Sequence, residues 1–518
     1  MNQCFPNLKP LHSNQLEKRK YVYSLAKSFS VIACTVICFS NSGHAKAQAQ
    51  ESSSELRGPL KLQDGVEKNS LSTPLTLYAA VTYADRNYPS IRKNRALEQA
   101  ARKNVSVQKL NEYLPDSLFQ YQEIMSSHNK ISQVFFGSPV FPAMAGPGER
   151  GIDMSPIFYS GAGFSLDWAP LDFGLHKARI NLSKTQSEQA SAQFELSRFD
   201  VSVAVASAFL DLVEALEQVK AAELNLASFS QFRTIVDAQV NASLKPGADA
   251  SLAEAQLANA RNQVIRANLS RDLAIANLAN AIGEGGKDLS INPAGFASDA
   301  PNNKFQQAAP LLDEVPILRS AKVAVKSAKA QRRILDKEYY PVFHFLGGVQ
   351  TRGSGLALNG RERQSLGADG VFPVIPNYQA ALVINWNFLD YYRLREQKRV
   401  QDQRIIAQEE DYKLILQNLK AENARAQARV KTAIQLAENM PVQVNAASLA
   451  VKQAEARYKT GLGSVAQVAE ANTVLAQSRM QDALARVGIW RALLSVAAAH
   501  GDLKPFLAEA QRIQSKGI

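Results

Sequence analysis

The strongest constraint on the fold is a change of periodicity that the chain makes twice. Glu112-Tyr113-Leu114-Pro115 closes a helix-like run and opens a strand-like one; Gly163-Phe164-Ser165-Leu166-Asp167-Trp168 then alternates strictly, and Leu171-Asp172-Phe173-Gly174 leads into a very long helical segment. Later, Glu338-Tyr339-Tyr340-Pro341 repeats the opening, Ala381-Leu382-Val383-Ile384-Asn385-Trp386 the alternation, and Leu389-Asp390-Tyr391-Tyr392 the exit into a second long helix. A unit of strands and long helices that recurs is a tandem architecture. The strands are the more informative part, because a soluble coiled coil has no use for them.

Walking the chain gives the boundaries: a leader over 1–47, a flexible lead-in over 48–74, a first repeat over 75–283, a connector over 284–310, a second repeat over 311–501 and a short polar tail over 502–518. In the first repeat the pattern is helical over 75–113, interrupted near Pro89. It becomes a strand over 116–124, with Phe119 and Tyr121 on one face and Gln120 and Gln122 on the other. Residues 125–156, rich in Gly and Pro, read as a loop, and 161–168 as a strand placing Phe164, Leu166 and Trp168 opposite Ser165 and Asp167.

Between Gly174 and Pro246 there is neither Gly nor Pro. A helix of roughly 70 residues is on the order of 100 Å long. Val205, Leu212, Val219 and Leu226 recur every seventh residue, with Phe209 and Leu216 between them, as in the seam of a left-handed coiled coil. Lys245-Pro246-Gly247 breaks the run, and a second helix is expected over 252–282.

The second repeat follows suit. A helix is expected over 316–339, a strand over 342–346 with Phe343 and Phe345 on one face, and a glycine-rich loop over 347–376. The fourth strand sets Leu382, Ile384, Trp386 and Phe388 against Val383, Asn385 and Asn387. Residues 391–459 form the other long helix, with Val430, Ala437, Val444 and Val451 at seven-residue spacing and Pro441 expected to kink it. The return helix spans 465–500 and stops at Gly501.

The N-terminus has the layout of an export signal: Lys18-Arg19-Lys20 and Lys27, an apolar run over 29–39 too short to span a bilayer, and Ala45-Lys46-Ala47 at a cleavage site. Val31-Ile32-Ala33-Cys34 is the alternative, a lipobox that would leave an acylated Cys34. Cys4, Cys34 and Cys38 all precede residue 47, so cleavage there leaves a mature chain without cysteine. The formal charge is +12, but five of those charges sit in the leader, leaving +7. That balance permits contact with anionic surfaces. An exported protein rarely meets nucleic acid, which is not expected as a partner. His128, His176, His344 and His500 are far apart in sequence, no thiolate is available, and no phosphate-cradling glycine loop is present. No enzyme, cofactor or metal site is expected.

Four alternating strands are each long enough to cross a bilayer when tilted, with an apolar and a polar face. Four strands cannot close on themselves, and lipid forbids an open edge. Either the barrel is shared among two, three or four subunits, or the strands form a small soluble sheet capping a coiled coil, as in a soluble periplasmic coiled-coil adaptor or scaffold protein.

On the paired Tyr-x-Pro openings, the Trp-x-x-Leu-Asp exits at Trp168 to Asp172 and Trp386 to Asp390, and Tyr458-Lys459-Thr460-Gly461 followed by Ala469-Glu470-Ala471, the chain resembles the TolC family of outer-membrane efflux and secretion channels over 75–502. The resemblance implies a mostly α fold with transmembrane β: a long-helix α-barrel continuous with a shared outer-membrane β-barrel. Each chain of a homotrimer would give four of twelve strands. It also implies the outer membrane of a Gram-negative bacterium, helices extending into the periplasm, and contact with outer-membrane lipid. The partners implied are a periplasmic adaptor (membrane fusion) protein and an inner-membrane transporter of RND or ABC type. Efflux of small solutes and type I secretion of proteins both fit such a duct.

In that family acidic side chains ring the periplasmic entrance. The matching positions here are Gln467 and Glu470, three apart on one helix face, with Ser251 and Glu254 at the comparable place in the first repeat. Gly463 occupies the place of the family's basic gating residue. Gly247, Gly461 and Gly463 should permit the helix reversals, whose tips the resemblance makes the adaptor-docking ends. The plainer readings are solvated helix faces and simple turns. Trp168 and Trp386 fit an interfacial aromatic girdle, or else packing on a sheet face. Arg150, Arg352, Arg361 and Arg363 are expected in external loops.

Overall fold

The computed structural model describes residues 74–128, 134–135, 144–145, 153–296, 315–355 and 370–516. The leader, the lipobox, the lead-in before residue 74, and Arg150, Arg361 and Arg363 lie outside them.

Two helices precede the first strand, α1 (Leu77–Asn87) and α2 (Pro89–Tyr113). Pro89 opens α2 because it has no N–H to offer and its fixed φ suits a first helical residue, while it bars Tyr88 from helical geometry. The strands are β1 (Asp116–His128), β2 (Val134–Phe135), β3 (Met144–Ala145), β4 (Asp153–Leu171), β5 (Val342–Ser354) and β6 (Ile375–Asn385). Four of them form one antiparallel sheet in the order β1-β4-β5-β6; β2 pairs with β3.

The sheet corrects several sequence expectations. β1 continues past residue 124, β4 begins eight residues before 161, and β5 runs on to Ser354, so Arg352 is a strand residue and not a loop one. Of the glycines that suggested a loop, Gly347, Gly348 and Gly353 are β5 residues, and Gly353 is in close quarters. A Cβ at Gly353 would lie 2.2 Å from the Phe372 carbonyl oxygen and 2.6 Å from Ser160 Oγ. At the other end β6 stops at Asn385, so Trp386 and Phe388 have left the strand and Phe388 starts a 3-10 turn (Phe388–Asp390).

Register sorts the two faces. Phe119, Phe164, Val349 and Tyr378 form one row across all four strands, and Trp168, Phe345 and Leu382 form another on the same face, four residues along each strand. The adjacent row, on the opposite face, is Gln120, Gly163, Gln350 and Asn377. The apolar row is exposed, to 88% at Tyr378. No strand residue belongs to any hydrophobic cluster among the described residues. A sheet that shows aromatics to its surroundings and has no core behind it is not half of a soluble sandwich.

Below the sheet run α3 (Leu175–Asn241), α4 (Gly247–Ile282), α5 (Pro316–Lys337), α6 (Tyr391–Lys459), α7 (Val465–His500) and α8 (Lys504–Lys516). The seam residues Val205, Phe209, Leu212 and Val219 are all buried. α6 continues through Pro441, which removes one backbone donor. No described helix is long and apolar enough to cross a membrane.

The start of the first repeat, the described first half of the connector and the tail read as polar form one packed belt. Leu75 bridges Ile291 in parallel, with Leu75 N–H donating to Ser290 O at 2.8 Å and Asn292 N–H to Leu75 O at 2.9 Å. The tail forms α8, whose Phe506, Ala510 and Ile513 are buried, and Gln514 ties it to Asn292 O at 2.8 Å. Phe296 of the connector packs on Phe209 of α3 and Trp490 of α7, with centroids 5.8 and 5.0 Å away. At Gly295, with φ +88°, a Cβ would collide with Ile513. The belt clamps the long helices and the two repeats together.

Candidate functional site

Three places bear on function: the junctions where strands meet helices, the hairpin tips at the far end, and the open sheet edges.

Each junction closes with the same bond. Trp168 Nε1–H donates to Tyr113 O at 3.3 Å, and Trp386 Nε1–H to Tyr339 O at 3.1 Å. The two halves of the repeated motif, Tyr-x-Pro and Trp-x-x-Leu-Asp, are therefore joined in space. Both indoles are about half exposed. Trp168 lies on the apolar sheet face, 6.4 Å from Phe345, whereas Trp386 stacks edge-on against Tyr339 at 6.3 Å. Each indole thus packs on a neighbouring ring while its N–H is held by a backbone carbonyl.

The rest of each junction differs. In the first, Asp172 caps α3: its carboxylate accepts from Gly174 N–H at 3.0 Å and from His176 N–H. Phe173 and Gly174 both take positive φ, 52° and 95°, to make that turn. His176 Nδ1 meets the Glu112 carboxylate and its Nε2 lies 2.7 Å from Ala169 O, with Asp172 at 3.6 Å and Arg179 3.6 Å from Glu112. Burial works against the imidazolium, but the Ala169 carbonyl and the Glu112 and Asp172 carboxylates outweigh it, so the His176 pKa is raised above 6.5. In the second junction no side chain caps α6, Asp390 pairs with Arg393 at 2.6 Å, and Glu338, the counterpart of Glu112, is exposed.

At the far end both tips form the same C-cap. Leu244 N–H donates to Gln239 O and Leu462 N–H to Arg457 O, each at 2.9 Å, with the preceding Ser243 and Gly461 at φ 59° and 80°. This is a Schellman closure, which needs one left-handed residue. Of the three expected tip glycines, only Gly461 supplies it. Ser243, and not Gly247, does so in the first tip; Gly247 merely begins α4, with open space where a Cβ would go. Gly463 is constrained by space, its Cβ position lying 3.1 Å from Tyr458 N.

The tips also grip each other. Tyr458 of α6 is buried, its ring 5.8 Å from Phe232 and under the Lys245 ammonium at 5.0 Å. Its hydroxyl donates to Asp249 at 3.4 Å. Burial and the Asp249 carboxylate push its pKa up to about 12, so it stays a neutral donor.

Of the expected entrance residues, Glu470 is exposed and has no ion pair with any described residue. Gln467 is half of a capping box: it accepts from Ser464 N–H at 3.2 Å while its own N–H donates to Ser464 Oγ at 3.3 Å. Glu254 lies 2.8 Å from Arg233 and 3.9 Å from Arg261. Ser251 Oγ turns back toward Gly247 O at 3.5 Å. The structure thus keeps the four residues at the two tips but ties three of them into local contacts. No group of acidic, histidine or cysteine side chains among the described residues is arranged to hold a metal.

The sheet edges complete the picture, since among the described residues β1 and β6 each pair on one side only. The fold is that of solved outer-membrane channels. VceC from Vibrio cholerae shares 15% identity, covering 82% of this chain and 96% of that one at a TM-score of 0.65. The CmeC channel of Campylobacter jejuni shares 13%, covering 85% and 89% at 0.65. The open state of the MtrE channel of Neisseria gonorrhoeae shares 18%, covering 82% and 89% at 0.63. No curated protein is recognisably similar in sequence. The outer membrane efflux protein profile matches residues 145–284 and 310–502, more than half of the chain. With both matched stretches falling on the two repeats, the chain belongs to the outer membrane efflux protein family, a family of channels and not of enzymes.

Proposed function

We propose that three copies of the chain close a twelve-stranded barrel, β6 of each pairing with β1 of the next, above a continuous helical tunnel. The duct passively carries substrate outward. One observation carries this reading: an exposed aromatic sheet face, with no core behind it, bounded by two unpaired edges. In water such edges invite aggregation and in lipid they are forbidden, so closure between subunits resolves both. A soluble scaffold would leave that face uncovered.

At the other end, Leu244 and Leu462 occupy equivalent cap positions and are 72% and 75% exposed. They give a periplasmic adaptor two matching apolar contacts per chain, with an inner-membrane transporter of RND or ABC type behind it. Gly461 and the Gly463 turn shape that end. Of the four expected entrance residues, Glu470 is the carboxylate with no ion pair among the described residues, so it supplies one ring of carboxylates as the charge filter. Energy and substrate choice then belong to the transporter.

Sodium carbonate washing followed by negative-stain imaging of the detergent-extracted protein tests this. Protein retained in the membrane that yields tapered rods with three-fold end views is the expected result. Release by carbonate, or compact monomeric particles, would overturn the shared barrel.

A further inference from the structure

A groove of about 540 Å³ lies between α5 and α6, beside the ends of β5 and β6. Five cations line it, Arg332 and Lys337 from α5 and Arg395, Lys398 and Arg399 from α6, against two carboxylates, Asp336 and Asp402. On α6 the lining residues 391, 394, 395, 398, 399 and 402 fall at spacings of three and four, so a single helix face is committed to the groove. Arg332 touches Asp336 and lies 2.8 Å from Asp402, Lys398 lies 3.2 Å from Asp336, and Arg399 pairs with Glu396 at 2.7 Å. Lys337 and Arg395 meet no carboxylate among the described residues; the Lys337 ammonium sits instead 5.3 Å over the Tyr340 ring. α5 ends here and α6 begins here, so their opposed dipoles offset one another and leave the side-chain charge in surplus.

We infer that this groove binds the phosphate of an anionic membrane phospholipid headgroup. The cations and the hydroxyls of Tyr339, Tyr340 and Tyr391 supply donors for phosphate oxygens. The surroundings favour a lipid over free phosphate. From Tyr391 a chain of rings leads through Tyr339 at 5.7 Å and Trp386 at 6.3 Å to Phe388 at 6.0 Å, and Phe388 and Leu389 are exposed. A bare anion gains nothing from that apolar track, whereas an acyl chain does. The inference rests on the reading that the sheet end marks the membrane–periplasm boundary. The first repeat has no such surplus, because Glu112, Asp172, His176 and Arg179 close on one another. The site therefore occurs once per chain.

The test is native mass spectrometry of the full chain extracted in nonionic detergent and titrated with phosphatidylglycerol, with and without sodium phosphate. Wild type is compared with the Lys337→Gln/Arg395→Gln double variant and with Lys326→Gln, a cation elsewhere on α5 that pairs with Glu188 at 2.5 Å. Carbonate-washed membranes first establish that each protein is membrane-integrated, so that failure of the channel reading is told apart from failure of the lipid site. One bound lipid per chain is expected, weakened about thirtyfold in the double variant, unchanged in Lys326→Gln and undisturbed by phosphate. Absence of bound lipid, undiminished binding by the double variant, or equal loss in Lys326→Gln would overturn the site. Displacement by sodium phosphate would make it a free-anion site and overturn the headgroup.

Discussion

The two strand–helix junctions begin from the same motif and end in different chemistry. Both lock Trp Nε1–H onto the carbonyl of the Tyr before Pro. Around that shared bond the first junction is a closed ionic knot, with Glu112, Asp172 and His176 all mostly buried. The second is an open aromatic and cationic groove, with Glu338 in solvent. That indole-to-carbonyl bond is the element the two copies of the unit share. The side chains around it are free to diverge, one junction toward rigidity and the other toward a surface.

That contrast can be broken at several points. Glu112→Ala should cost about 3 kcal/mol, because it strands the mostly buried His176 beside a hole, while Glu338→Ala should stay within about 0.5 kcal/mol. Thermal unfolding of the two variants measures the gap, and equal losses would mean that the knot contributes nothing. Next in size, Trp168→Phe and Trp386→Phe should each cost about 1 kcal/mol by leaving one carbonyl without its donor. A large inequality in denaturant titrations would show that the two locks are not equivalent.

The tips offer a smaller version of the same comparison. Ser243 and Gly461 hold the same left-handed position. Ser243→Gly should therefore stabilise, and Gly461→Ser destabilise, each by somewhat under about 1 kcal/mol. Opposite shifts in melting temperature are the expected reading.

The smallest effect is in pH. The His176 pKa is raised in the folded chain above its unfolded value of 6.5, so its stabilisation is fully present below 6.5 and is lost as pH rises through the folded value. The difference in melting temperature between wild type and His176→Gln should be largest in acid and shrink through the neutral range. A difference independent of pH would mean that packing, and not charge, is what His176 contributes.

Much of the architecture was legible because it is written in local periodicity. The bounds of α6 and α7 and the stop at Gly501 follow from glycine placement, and β-strand alternation follows from Phe119/Tyr121 against Gln120/Gln122. The misreadings share one cause. Gly353 within β5 looks like a loop signal until the neighbouring backbone explains it. The α8 tail looks polar until Phe506 and Ile513 find the belt. Leu75, Ile291 and Gln514 are far apart in sequence, and no window contains their contacts.

The candidate site divides in the same way. Motif spacing singled out Glu470 and Trp386 as candidates. The engagement of Gln467 by Ser464, the choice of Ser243 over Gly247 as the left-handed residue, and the meeting of Glu112 with His176 were not legible in it. By itself the sequence determined the repeat, the long helices and the two-faced strands, because each is a matter of neighbours within a few residues. Only the tertiary structure decided which charges are spent on one another and which, like Lys337 and Arg395, are left over. Charge pairing is set by distances between segments that the chain brings together only after it has folded.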